Sequence, residues 1–462
     1  MNRISYQYPI IVQLYIFICS NNYFLRKKLL FLCIWIESRD LYTTMLSLHW
    51  PQYLSGIVEI SGSKNAALPL IACGLFFEKF TLHNVPRIWD VFTFLSIIES
   101  LNVKVNFTNN TLTLDSSEMC LDNLNTELVK KIRVGIFLFP ALLKRFRTLE
   151  IPFPGGCNIG KRPIDEHIRG FEAFWYKNEW VDDMIHFSGN YITTDVRISA
   201  GFAVTATENI LMIAAFRSGK TIIELWAMEP HVMNLIDFLR TLGINITVSH
   251  DHTIIVEWIK FAPKEAETTV IHDYIESGTF IILGALTATP SIEVHNARIK
   301  DLRFFLAKCR EAGVRYDLDE EADVITVYNS KSSLKAINFQ TNIYPGFPTD
   351  LQSPFSLLLT QAEWVSRVHE VLFEWRLNWL VEIEKMKGHI AIMNPHEALI
   401  FGKTHLKWAM VSSWDLRAWV TMILAGMIAR GETTITNVEY IERGYEDIIG
   451  KIQKLGGKIE HI

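Results

Sequence analysis

Apolar residues at i, i+3 and i+4, then a short turn, then an alternating apolar and polar stretch recur six times along this 462-residue chain. The copies span 91–105, 164–182, 231–248, 301–316, 377–392 and 445–459, and each predicts an amphipathic helix that leads into a strand. In the clearest pair, Val232-Met233-Asn234-Leu235-Ile236-Asp237-Phe238-Leu239 and Tyr445-Glu446-Asp447-Ile448-Ile449-Gly450-Lys451-Ile452, the helical run ends at Leu242-Gly243 and Leu455-Gly456. The glycine after the last leucine supplies the left-handed residue that closes a helix. Between copies lie further strand-like stretches such as Thr253-Ile254-Ile255-Val256-Glu257. A repeat of this length is a supersecondary unit used many times over, and periodicity alone leaves open one solenoid or two globules.

The first 44 residues do not share the pattern. Their apolar runs are split by Arg26-Lys27-Lys28, with no basic segment ahead of the first run and no small-residue cleavage site, so they do not read as a signal peptide. With Met45 following, the expectation is that 1–44 is a non-native or disordered extension from a misassigned start. A membrane-associating extension is the alternative. No uninterrupted apolar run is long enough to predict a transmembrane helix.

Composition narrows the classes. The chain is 49% hydrophobic and 21% charged, enough to bury one or two large cores. A net charge of -5 gives no electrostatic case for nucleic acid. Cys19, Cys33, Cys73, Cys120, Cys157 and Cys309 show neither paired nor metal-ligand spacing, which suits a reducing, cytoplasmic setting.

Two segments carry candidate chemistry. Pro154-Gly155-Gly156-Cys157-Asn158-Ile159-Gly160-Lys161-Arg162-Pro163-Ile164-Asp165-Glu166-His167 puts a cysteine in a glycine-bracketed loop with cations close behind it. Neighbouring positive charge favours the thiolate, although a loop with an incidental thiol reads equally well from this stretch alone. Ile60-Ser61-Gly62-Ser63-Lys64-Asn65-Ala66 closes a strand and opens an apolar helix, where a lysine and helix N-terminal amides can face an anion. Together the two segments resemble the UDP-N-acetylglucosamine 1-carboxyvinyltransferase family, the enolpyruvyl transferases of peptidoglycan synthesis, from about Trp50 to Ile462.

The resemblance implies an α/β fold: a two-domain inside-out barrel of six βαβ-type units, with the active site in the cleft. The expected domains are 64–272, and 45–63 together with 273–462. Tyr274 stands where the family usually has arginine. The implied reaction moves the enolpyruvyl group of phosphoenolpyruvate to the 3-hydroxyl of UDP-N-acetylglucosamine and releases phosphate. That reaction belongs to cell wall biogenesis, and through it to cell shape and division. Neither metal nor organic cofactor is implied, and neither nucleic acid nor membrane is an expected partner.

The roles implied are specific. Cys157 matches the general acid that fosfomycin alkylates, and Asp350, in Tyr344-Pro345-Gly346-Phe347-Pro348-Thr349-Asp350, matches the base, though it could equally cap a helix. Lys64, Arg133, Arg162, Arg417 and Arg443 are the candidate anion-binding cations, and Asn65 orients the sugar hydroxyl. Arg162, Pro163, Ile164 and Asp165 match the uridine-binding edge, with His167 just beyond. Val204 and Thr205 match the diphosphate loop, and Asp415 is a partner of Arg417. A 3-phosphoshikimate 1-carboxyvinyltransferase is the same-fold alternative, against which the Cys157 loop argues. A catalytically inactive regulatory paralogue should have lost Lys64, Cys157, Asp350 or Arg443, and all four are present.

Thirteen tryptophans are the anomaly. Trp50, Trp175, Trp258, Trp364, Trp408 and Trp419 stand where the resemblance calls for glycine, with Trp180, Trp226, Trp375 and Trp414 weaker cases. UGA codons, glycine in the source and tryptophan in the written translation, would produce this pattern; a truly tryptophan-rich enzyme is the alternative. Six indoles forced into close-packed glycine sites at ~1–3 kcal/mol each would rival the stability of a typical domain.

Overall fold

The computed structural model describes residues 45–50, 52–146, 148–152, 155, 163–174, 176–189, 195–258, 263–412 and 415–462. The expectation for 1–44 therefore lies outside the described residues, as do Cys157, Arg162, Trp175 and Trp414.

Among the described residues are thirteen α-helices; the short Thr126–Lys131 stands apart, and the other twelve alternate between two kinds. One kind is largely apolar and mostly enclosed: α1 (Lys64–Gly74), α3 (Leu138–Arg145, whose last two residues are exposed), α5 (Val204–Ala215), α7 (Tyr274–Thr287), α9 (Gln352–Leu359) and α11 (Leu416–Ile428). Every residue of α7, α9 and α11 is buried. The other kind is amphipathic: α2 (Trp89–Ser100), α4 (Asp165–Ala173), α6 (Pro230–Thr241), α8 (Arg303–Glu311), α10 (Leu380–Lys385) and α12 (Ile448–Lys454). The second six are the helices of the repeats read from sequence, and each leads into a strand as the periodicity predicts.

α6 shows the local logic. Proline opens it, Val232, Leu235, Ile236, Phe238 and Leu239 fall on its buried face, and Gly243 follows at φ +85°. Gly456 after α12 sits at φ +95°, so both expected closing glycines take the left-handed conformation.

The strands form six small sheets, five of four strands and one of three among the described residues. The four-stranded sheets share one plan. Glu265–Thr269 runs parallel to Lys79–His83, which is antiparallel to Thr111–Asp115, itself antiparallel to Lys104–Thr108. Leu54–Glu59, Ala288–His295, Val324–Tyr328 and Arg315–Asp319 repeat that order. Helices and small sheets alternate along the chain, in agreement with the α/β fold that the resemblance implies.

The hydrophobic core falls into two clusters, one drawn from 66–270 and the other from 46–60 and 274–459. The chain passes between them twice, side by side. Ser63 N–H donates to Ile271 O at 2.7 Å and Asp273 N–H to Ser61 O at 2.9 Å. At Gly62, in the first of these crossings, a Cβ would run into the carbonyl oxygen of Asn84, so only glycine fits there.

Most of the tryptophans escape the cost assigned to them. Trp50 and Trp408 lie on the surface, Trp258 is half-buried, and Trp419 is accommodated inside α11, where its indole N–H donates to Thr436 O at 3.1 Å. An outward indole displaces nothing, which removes the packing penalty expected of a buried one. Strain remains at Trp364, which is 80% exposed and held at φ +74° at the start of a strand. Left-handed backbone costs a residue with a side chain roughly 1–2 kcal/mol. Trp364→Gly should therefore raise unfolding stability by about 1 kcal/mol, whereas Trp50→Gly should change it by less than about 0.5 kcal/mol, both read from urea denaturation.

Candidate active site

Asp350 lies in a 3-10 turn, Thr349–Leu351, just before α9. Arg376 Nη2 reaches its Oδ1 at 2.6 Å and Arg417 Nε its Oδ2 at 3.3 Å. Burial pushes the carboxyl up, and the two guanidinium groups, with Lys64 beyond them, more than reverse this and hold it well below the usual carboxylate range. It is charged at any working pH. Arg376 also donates to Thr349 Oγ1 at 3.2 Å and faces Asp415 Oδ2 at 3.8 Å.

Arg417 is the second residue of α11, and only 2% of it is exposed. Asp415 caps that helix, accepting from the backbone N–H groups of Arg417 and Ala418 at 3.4 and 3.3 Å. The Arg417 guanidinium lies 5.0 Å from the Tyr445 ring centroid, and its Nη1 has no hydrogen-bond partner among the described residues. A buried, unsatisfied guanidinium nitrogen is costly unless a ligand anion completes it.

A second carboxylate joins the two cores. Asp90, in the first turn of α2, is 4% exposed and takes Lys64 Nζ at 2.8 Å and Arg443 Nε at 2.9 Å. Burial raises its carboxyl, and the two cations bring it to a net position below its ordinary value. Lys64 and the half-buried Asn65 open α1, while Arg443 ends a 3-10 turn and lies over the Trp89 ring at 5.3 Å. Lys64, Asp350, Asp415, Arg417 and Arg443 thus form one charged network.

The other described candidates gather separately. Arg133 donates to Pro163 O at 3.2 Å, Ile164 is buried, and Asp165 opens α4. His167 on that helix bonds Thr205 Oγ1 at 2.9 Å, one residue past Val204 at the start of α5.

Asp90 and Arg376 were invisible to motif reading. Their partners are far away in sequence, and alone they read as a first-turn helix acid and a loop arginine. Tyr274, in place of the family's arginine, is buried in α7 near the carboxylates of Glu229, Asp350 and Asp273. Among the described residues Glu229 Oε2 has no partner, and the carboxylate is held by the backbone N–H of Tyr344; burial lifts its carboxyl to about 7, and Glu208, buried beside it, is pushed up too. Among the described residues no group of histidine, cysteine or acidic side chains could hold a metal ion.

Because the folded state holds the Glu229 proton more tightly than the unfolded chain, stability falls as pH rises from about 4.5 toward 7. Glu229→Gln should flatten that part of the melting temperature against pH curve; an unchanged slope would remove Glu229 as its source.

The EPSP synthase (3-phosphoshikimate 1-carboxyvinyltransferase) family profile matches residues 48–452. A UDP-N-acetylglucosamine 1-carboxyvinyltransferase of Clostridium botulinum is 38% identical over 88% of this chain and 97% of its own. One from Actinobacillus succinogenes is 38% identical over 88% and 96%. Among solved structures, the enolpyruvyl transferase NikO of Streptomyces tendae superposes with a TM-score of 0.82 at 22% identity, covering 91% of this chain and 99% of that one. EPSP synthase of Acinetobacter baumannii gives 0.69 at 14%, over 91% and 100%. The fold is the enolpyruvyl transferase fold, and the chain belongs to the UDP-N-acetylglucosamine 1-carboxyvinyltransferase family.

Proposed function

We propose that this chain transfers the enolpyruvyl group of phosphoenolpyruvate to the 3-hydroxyl of UDP-N-acetylglucosamine, releasing phosphate, as a cytoplasmic step that feeds the cell wall and through it cell shape and division. The two hydrophobic clusters support a division into domains 64–272, and 45–63 with 273–462. The observation that carries the reading is the charged Asp350 beside the unsatisfied Nη1 of Arg417.

Phosphoenolpyruvate brings a phosphate and a carboxylate. Arg417 Nη1 is open to an anion, and Lys64 and Arg443 both pair with Asp90, a carboxylate the substrate anions can replace. Those anions, once bound, offset the cations that hold Asp350 so acidic, which raises its carboxyl toward the range of a useful base. Asp350 then takes the proton of the sugar hydroxyl as that oxygen attacks C2 of phosphoenolpyruvate, and Cys157 gives a proton to C3. Loss of a proton from C3 and of phosphate from C2 completes the transfer. Asn65 orients the sugar, and Arg133, Arg162, Pro163, Ile164, Asp165, His167, Val204 and Thr205 hold the nucleotide. Asp415 fixes Arg417.

Asp350→Asn keeps the shape and removes the base. It should lower kcat by about 10²–10⁴-fold in phosphate release with UDP-N-acetylglucosamine as acceptor. Fosfomycin should inactivate the wild-type chain, and Cys157→Asp should remain active and resist it. Full activity of Asp350→Asn, or fosfomycin sensitivity of Cys157→Asp, would contradict these roles.

A further inference from the structure

We propose that His167 is a positioning residue that makes the Thr205 hydroxyl a fixed hydrogen-bond donor to the diphosphate of the nucleotide-sugar substrate. The inference rests on the function proposed above and deepens it.

The polarity of a three-residue chain carries the argument. Asn209 is fully buried, and its Nδ2 lies 3.0 Å from Ile136 O. A carbonyl oxygen only accepts, so the nitrogen end of the amide must face it. The same nitrogen lies 2.9 Å from His167 Nδ1, which makes that ring atom the acceptor of the second amide hydrogen. His167 is 2% exposed, and burial with the Arg133 charge brings its pKa down to about 3. The ring is neutral, and its one proton is left for Nε2, 2.9 Å from Thr205 Oγ1. The threonine oxygen accepts that proton. Its own hydroxyl hydrogen must point elsewhere, and no acceptor for it exists among the described residues.

Thr205 stands where such a donor is useful. It is half-buried, so a ligand can reach it, and it is the second residue of the twelve-residue α5, whose N-cap Ala203 offers no capping side chain. The open amides of that first turn and the Arg133 charge favour an anion at the same place. Protonating His167 would set Nδ1–H against the Asn209 amide, donor against donor, and so break the chain that orients the hydroxyl.

The test reads nucleotide affinity in the full-length protein. Thr205→Val should raise KM for UDP-N-acetylglucosamine and the inhibition constant of UDP about tenfold, the worth of one hydrogen bond to a charged group. The constant for uridine, the KM for phosphoenolpyruvate and kcat should stay within about twofold, and Thr205→Ser should restore UDP binding. His167→Phe should weaken UDP to a similar degree, and adding Thr205→Val to it should cost nothing more, because one interaction is lost only once. Should His167→Phe fail to fold, the Thr205→Val and Thr205→Ser pair decides. Unchanged UDP inhibition in Thr205→Val, equal weakening of uridine, or additive losses in the double variant would overturn the proposal alone. A wild-type chain that binds no UDP by calorimetry would overturn the functional reading as well.

Discussion

Everything at the junction of the two cores depends on keeping the charge of Asp350 buried. A carboxylate out of water is costly unless cations and hydrogen-bond donors replace its hydration. Arg376 and Arg417 provide that replacement, and each is itself fixed: Arg376 by Thr349, Arg417 by the capped start of α11 and the Tyr445 ring. The enclosed helices are therefore frames as well as core. Their ends meet at the junction and bring fixed charges and open amides to one place, while the sheets and amphipathic helices hold those frames rigid.

Asp90 solves a related problem. Lys64 comes from one core and Arg443 from the other, and two cations at a dry junction repel each other strongly. A single carboxylate between them turns that repulsion into a link across 353 residues of sequence. Beside it the two chain crossings at Ser61–Ser63 and Ile271–Asp273 form the covalent part of the same joint. A site that neutralises cations with exchangeable carboxylates is suited to anionic substrates, which can take over the same contacts.

The fold was legible where one residue type meets one local demand. The six helix-and-strand repeats and the closing glycines at Gly243 and Gly456 follow from periodicity and backbone chirality, and both were readable without partners. The site was legible only in part. Asp350, Lys64 and Arg417 sit in motifs, whereas Asp90 and Arg376 acquire meaning from neighbours that only the folded chain supplies. His167 illustrates the middle case: a histidine after a loop reads as structural, and its role lies in which of its nitrogens holds the proton. The cost of the tryptophans was not legible in the sequence, for a physical reason. A glycine position can demand close packing or left-handed backbone, and the sequence does not say which. Trp364 shows the backbone demand, whereas the indole of Trp419 fits within the core.

The most direct test offers phosphoenolpyruvate with UDP-N-acetylglucosamine and shikimate 3-phosphate together and identifies the products by mass. The structure and family predict that the enolpyruvyl group appears on the nucleotide sugar alone. An enolpyruvyl product on shikimate 3-phosphate, or none from a folded chain, would contradict the account.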